Sequence, residues 1–233
     1  MIQLQKIDNS FGSQKALTQL SIEVKSGEIY GLLGPNGAGK TTTLNLLLGF
    51  LTTDSGQVKV ADLDVASQTQ KARNQIGYIS ENVMLYPHLS GIENLNYFCQ
   101  LAGFNYSKAA LGEFLSTCGL DVSQHNKQLE AYSKGMRQKV GIAIAVAKKA
   151  KVYLLDEPAS GLDPLASNEL TSLLKKLAAD GATILMASHD IFRVKETCNR
   201  IGILSQGKLI KELVASEISA NELEKIYLEN INN

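Results

Sequence analysis

Ile29-Tyr-Gly-Leu-Leu33 followed by Gly34-Pro35-Asn36-Gly37-Ala38-Gly39-Lys40-Thr41-Thr42 is the stretch that decides how this chain folds. Gly34 to Thr41 fits G-x-x-x-x-G-K-[ST], the phosphate-loop pattern. The apolar run Ile29 to Leu33 reads as a buried strand, and the Leu-rich segment from Thr41 to Leu51 reads as a helix. That strand–loop–helix context is what the pattern requires. Glycines let backbone N–H groups curl around phosphates, and a helix N-terminus adds partial positive charge. Lys40 can reach the β- and γ-phosphates, and the Thr41 hydroxyl can bind Mg²⁺. Out of this context the same letters would describe a Gly-rich turn before a lysine.

Working outward, residues 2–7 and 20–24 alternate in polarity and read as strands with a turn around Gly12-Ser13 between them. Residues 57–60 and 76–79 are further short strands. From Leu89 to Ala147 helical periodicity takes over, which predicts a mainly helical insert. Val152 to Asp156 is a short apolar run ending in acid. Asp163-Pro164 reads as an N-cap followed by proline at the first helical position. Leu170, Leu173, Leu174 and Leu177 give that helix an apolar stripe, and Gly181 ends it. Residues 183–187 and 201–204 are two more buried strands, and residues 221–230 a polar terminal helix. Strands alternating with helices predict an α/β core with a largely parallel sheet. In such sheets ligands bind at the carboxyl ends of strands, where Gly34–Lys40 and Asp156 would both sit.

The chain has 233 residues, enough for one domain with a large insert and a sizeable core. Its 23 basic and 23 acidic residues balance, so nothing favours a polyanion, and no nucleic-acid partner is expected. Cys99, Cys118 and Cys198 are far apart and form no C-x-x-C pair, which argues against a disulfide framework or a cysteine metal site. The N-terminus does not read as a signal peptide, and no apolar run is long enough to span a bilayer. The chain is therefore expected to be cytoplasmic.

The second chemical feature is Asp156-Glu157 at the end of an apolar strand. An acid there can hold Mg²⁺ opposite Thr41, and the next acid can orient or deprotonate a water near a γ-phosphate. Alone, Asp-Glu-Pro is equally a strand-end turn; a phosphate loop upstream favours the metal role. His189, after the strand at 183–187, taken alone would be a helix N-cap neighbour, and Phe11 taken alone a core residue.

Two longer stretches are more specific: Asp156-Glu-Pro-Ala-Ser-Gly161-Leu-Asp163-Pro164 and Ala131-Tyr-Ser133-Lys-Gly135-Met-Arg-Gln138. With them the chain resembles the ATP-binding subunits of ABC transporters over nearly its whole length. The resemblance implies a P-loop NTPase core, an N-terminal antiparallel β-subdomain, and a helical subdomain at roughly 82–150, all within one domain. It implies ATP and Mg²⁺ as ligands. Phe11 falls where the family stacks an aromatic on adenine, Gly34 to Thr42 where it binds phosphate, and Thr41 and Asp156 where it holds the metal. Glu157 falls at the position of the residue acting on water, and His189 at that of the histidine contacting the γ-phosphate. Ser133 and Gly135 fall in the signature, where two subunits closing head to tail present them to the partner's ATP. A separate membrane-spanning subunit would dock around residues 81–94, with this chain peripheral on the inner face of the membrane.

Three positions depart from the family pattern. The signature has Lys134 for its first Gly and Met136 for Gln, a form resembling the exporter-type branch serving antibiotics, ions and lipids. Glu81 stands where the family has Gln, and is expected to contribute to metal or water positioning, an exposed carboxylate with no role being the alternative. A soluble ABC-type ATPase acting on ribosomes or DNA is the alternative function, although its usual duplicated cassettes, coiled coil or basic extensions are missing from this sequence. Among the remaining polar groups, His88 is expected at the surface, His125 solvated near a helix start, and Lys148-Lys149 on a solvated helix face.

Overall fold

The structure, a computed structural model, describes residues 1–231. Strands β1 (Ile2–Phe11) and β2 (Gln14–Val24) form an antiparallel hairpin. After β3 (Ile29–Leu33) and α1 (Lys40–Leu47), β4 (Ser55–Val60) returns to the other side of β1, with the short β5 (Leu63–Asp64) outside it. These strands make one antiparallel sheet in the order β2-β1-β4-β5.

Helix α2 (Thr69–Asn74) leads into β6 (Ile76–Ile79). Then come α3 (Gly91–Leu101), α4 (Lys108–Thr117) and α5 (Lys134–Ala147), which pack on one another. The chain returns through β7 (Val152–Asp156), α6 (Pro164–Ala179), β8 (Thr183–Ser188), α7 (Ile191–Thr197), β9 (Arg200–Ser205), β10 (Lys208–Val214) and α8 (Ala220–Ile231). The second sheet runs β10-β9-β3-β8-β7-β6 and is parallel except for β10. This is the α/β fold expected, with an antiparallel sheet at the N-terminus. No helix among the described residues is long and apolar enough to cross a membrane.

Every residue of β3 and β8 is buried, as expected for central parallel strands covered on both faces. One face packs on α3–α7 through residues such as Ile29, Leu33, Ile184 and Leu174; the other packs on α1 and the antiparallel sheet through Tyr30, Leu32 and Leu44. Helices start where capping side chains occur: Ser90 and Glu93 form a capping box on α3, and Asp163 caps α6 ahead of Pro164.

Several expectations are corrected. Helix α1 stops at Leu47 rather than Leu51, because Gly49 turns the chain at φ 67°. The hairpin strands are longer than their alternation suggests, with register shifts along β1 that interrupt it. β10 is an edge strand exposed along most of its length, and its apolar and charged residues are mixed rather than alternating. His125 is 5% exposed, not solvated, and its Nε2 lies 3.0 Å from the Leu120 carbonyl. Helix α5 ends before Lys148, which is half-buried, and burial lowers the pKa of its ammonium.

Gly31, in the middle of β3, admits α7 to van der Waals distance. A methyl there would sit 2.5 Å from Val194 Cγ1 and 2.8 Å from Cys198 Sγ. Forcing such a contact in a packed core costs about 1–3 kcal/mol. For a chain of this size that corresponds to a fall of about 2–12 °C in Tm. Gly31→Ala is therefore expected to melt several degrees early in calorimetry; an unchanged Tm would show that α7 is not held this closely.

Candidate nucleotide-binding and hydrolysis site

The site forms at the carboxyl ends of β3, β7 and β8. Register places Leu33 beside Ser188 and Asp156 beside Ala187, so the loops after all three strands leave the sheet together. The Gly34 N–H donates to the Ser188 carbonyl (3.2 Å), and the Gly207 N–H to the Ala38 carbonyl (2.9 Å). Gly39 caps α1 at φ 109°, a conformation closed to residues with a Cβ, and offers no side chain to the first turn. The N–H groups of that turn are thus left for an external acceptor.

A cleft of about 540 Å³ opens over this loop. Pro35, Asn36, Gly37, Gly39, Lys40, Thr41 and Thr42 line its floor, and Glu81, Asp156 and Glu157 one wall. Phe11 stands at the rim with half its surface exposed, a flat apolar face for a base. Gly34 and Ala38 are buried under the loop and do not line the cleft. Ser133 and Gly135 lie outside it, at the N-terminus of α5, where the Ser133 hydroxyl accepts from the Met136 N–H. Sequence reading missed Gln14, Lys15, Ala16, Gln206 and Gly207, which form the wall beside Phe11. The available signal was local: Gln206-Gly207 is a tight turn between β9 and β10, with both residues at positive φ.

Lys40 is buried, and its Nζ donates to the Gly34 and Pro35 carbonyls at 2.5 and 3.2 Å. Glu157 Oε1 lies 3.6 Å away. Burial lowers the Lys40 pKa, and Glu157 opposes that shift. Glu157 also accepts from the Ser188 hydroxyl (2.9 Å), and its Oε1 is 2.8 Å from His189 Nδ1. One carboxylate therefore sits between the phosphate-loop lysine and the histidine after β8. Its backbone is left-handed at φ 47°, a strain of order 1–3 kcal/mol that surrounding structure must hold.

Asp156 carries the opposite signature. Burial pushes its carboxyl above the usual range, the Glu157 and Glu81 charges add to this, and Lys40 with the Thr41 side chain pulls it back. Excess negative charge in a desolvated cleft favours a divalent cation. Among the described residues no three His, Cys, Asp or Glu side chains converge as an all-protein metal cage. Mg²⁺ takes one or two oxygen ligands from protein and the rest from phosphates and water. Thr41 and Asp156 fit this role. Glu81 lines the same wall; its Oε1 accepts from the Ser160 hydroxyl at 2.8 Å and lies 3.8 Å from Lys134 Nζ.

A glycine-rich loop at a helix N-terminus, its lysine, and a strand-end acid pair define a P-loop nucleoside triphosphatase. The family follows from comparison with known proteins. Residues 17–160 match the family model described as ABC transporter. An ABC transporter ATP-binding protein of Bacillus subtilis, YdbJ, is 36% identical over 98% of this chain and 74% of its own length. The linearmycin resistance ATP-binding protein LnrL of the same organism is 32% identical over 100% of this chain and 76% of its own. Among solved structures, the ATP-binding cassette MJ0796, dimeric and bound to ADP and Pi, superposes with a TM-score of 0.81 at 26% identity, covering 92% of this chain and 99% of that one. The chain belongs to the ABC transporter family. It is an ATP-binding subunit that hydrolyses ATP to power transport through a separate membrane partner.

Lys40 supplies the cation inside the phosphate loop. Lys40→Ala is expected to weaken ATP binding at least tenfold, about 1.4 kcal/mol, in calorimetric titration. Unchanged affinity would remove Lys40 from the site.

Proposed function

We propose that this subunit drives an exporter, and that its chemistry is divided as follows. Phe11 supports the adenine ring, while the N–H groups of the phosphate loop and Lys40 hold the phosphates. Thr41 and Asp156 are the protein ligands of Mg²⁺. When bound, Mg²⁺ offsets the negative charge of the triphosphate oxygens. Glu157 orients the attacking water and takes its proton. His189 holds Glu157 through Nδ1 and faces the γ-phosphate. The observation that carries the reading is that Glu157, on the cleft wall, lies within reach of both Lys40 and His189.

Catalysis of phosphoryl transfer is mostly positioning and charge stabilisation. The geometry suits this: the base candidate is fixed by Ser188 and His189, and the cationic group is fixed by two carbonyls. Because Ser133 and Gly135 lie outside the cleft, a second subunit presenting its own signature head to tail is the arrangement that brings them to ATP. The dimeric MJ0796 cassette supports such pairing. The helical subdomain, roughly 82–150, would receive the membrane partner around residues 81–94, where Met84 and Tyr86 are exposed. So docked, the chain would sit on the inner face of the membrane. The linearmycin resistance relative supports export of an antibiotic-like molecule.

Glu157→Gln keeps the shape of the side chain and removes its basicity. It is expected to bind ATP as the parent does, to lower turnover at least ~100-fold, and to accumulate as a dimer with Mg-ATP in size-exclusion chromatography. Parent-like turnover would move the proton acceptor to another group.

A further inference from the structure

Glu81 and Lys134 are the two charged residues that stand where the resemblance expects an amide and a glycine, and the fold brings them together. Lys134 is the first residue of α5, and its Nζ lies 3.8 Å from Glu81 Oε1. The same oxygen accepts from the Ser160 hydroxyl at 2.8 Å. The Lys134 side chain also runs beside Gly161, its Nζ 3.6 Å from where a Cβ would stand there. Three segments thus meet at one carboxylate: the loop after β6, the loop after β7, and the start of α5.

The contact continues along one face of α5. Lys134, Gln138 and Gly141 are spaced four and three residues apart and share a side of the helix. At the far end of this stripe Val83 packs into Gly141, its Cγ1 3.0 Å from where a Cβ would be. Between them Gln138 is 2% exposed, and neither of its amide atoms has a hydrogen-bond partner. Gln138 therefore adds no hydrogen bond along this stripe. A lysine in the first helical turn also works against the helix dipole, so it gains nothing from α5 itself. Its counter-charge is Glu81.

We propose that Lys134 and Ser160 are positioning residues for Glu81, holding its carboxylate at the cleft wall while tying the loop after β6 to the signature end of α5. Lys134 acts here within its own chain and through Glu81. The proposal rests on the functional reading above, since it concerns how Glu81 is aimed at the Mg-ATP site.

The test is a double-mutant cycle with the intact subunit and its membrane partner. Lys134→Gln is expected to lower kcat at least threefold with the KM for ATP within twofold of the parent, and Lys134→Arg to restore it. In a Glu81→Gln background, Lys134→Gln should cause no further loss. A second readout needs no turnover. In the Glu157→Gln background, the Mg²⁺ concentration that half-drives ATP-dependent dimerisation should rise at least threefold for Lys134→Gln, equally for Glu81→Gln, and no further for both together. Multiplicative effects, or a Lys134→Gln defect that persists in full without the Glu81 charge, would overturn the proposal and assign Lys134 a role independent of Glu81. Failure of the Glu157→Gln parent to dimerise with Mg-ATP would instead overturn the functional reading, and the proposal with it.

Discussion

The register of three parallel strands is the constraint on which the rest depends. β3 pairs with β8, and β8 with β7, so that Leu33, Ser188 and Asp156 end at the same edge of the sheet. The phosphate loop, the acid pair and His189 come from segments far apart in the chain. The loop and the acid pair line one cleft, and His189 reaches it through Glu157, because those strands end in step. A slip of one residue in either pairing would turn every side chain of a strand to the other face and separate Lys40 from Glu157. Burial on both faces of β3 and β8 prevents such a slip.

The charges in the cleft follow from the same geometry. Lys40, Asp156 and Glu157 are brought together with little water around them, so each shifts the others. Burial opposes the charge on Lys40, while Asp156 is pushed toward its neutral form by burial and by Glu157. A bound triphosphate and divalent cation would change both balances at once: the phosphates would offer Lys40 a stronger acceptor than a carbonyl, and the cation would relieve the crowded carboxylates. Glu157 bridges the two halves, held by Ser188 and His189 in a backbone conformation that costs energy. Strain of this kind at a wall of the cleft belongs with a group that must stay aimed.

Much of this was legible in the sequence because the decisive segments announce their own local structure. Residues 29–42 specify a buried strand, a glycine loop and a helix start in one run, and 152–157 a second buried strand ending in acid. What could not be read arises from tertiary contact. β10, Lys208 to Val214, is an edge strand whose charged and apolar residues do not alternate cleanly, so its pattern does not mark it as a strand. His125 looks polar in sequence but is enclosed beneath α4, with the Leu120 carbonyl beside its ring. The wall made by Gln14, Lys15 and Gln206 depends on the β9–β10 turn docking against Ala38; Gln206-Gly207 marks the turn locally, but not where it docks. Glu81, Lys134 and Ser160 were visible singly, as departures or as loop residues. Only the packing of α5 on the loop after β6 shows that they meet.

The central claim is that each ATP is completed by two chains, the phosphate loop from one and the signature from the other. Mixing two disabled variants tests it directly. Lys40→Ala removes one half of each site, and Gly135→Asp the other. A head-to-tail dimer of one with the other contains one fully intact composite site. The account predicts that the mixture, with the membrane partner present, hydrolyses ATP well above the sum of the two variants measured separately. A mixture no more active than that sum, formed from variants that still associate, would contradict it.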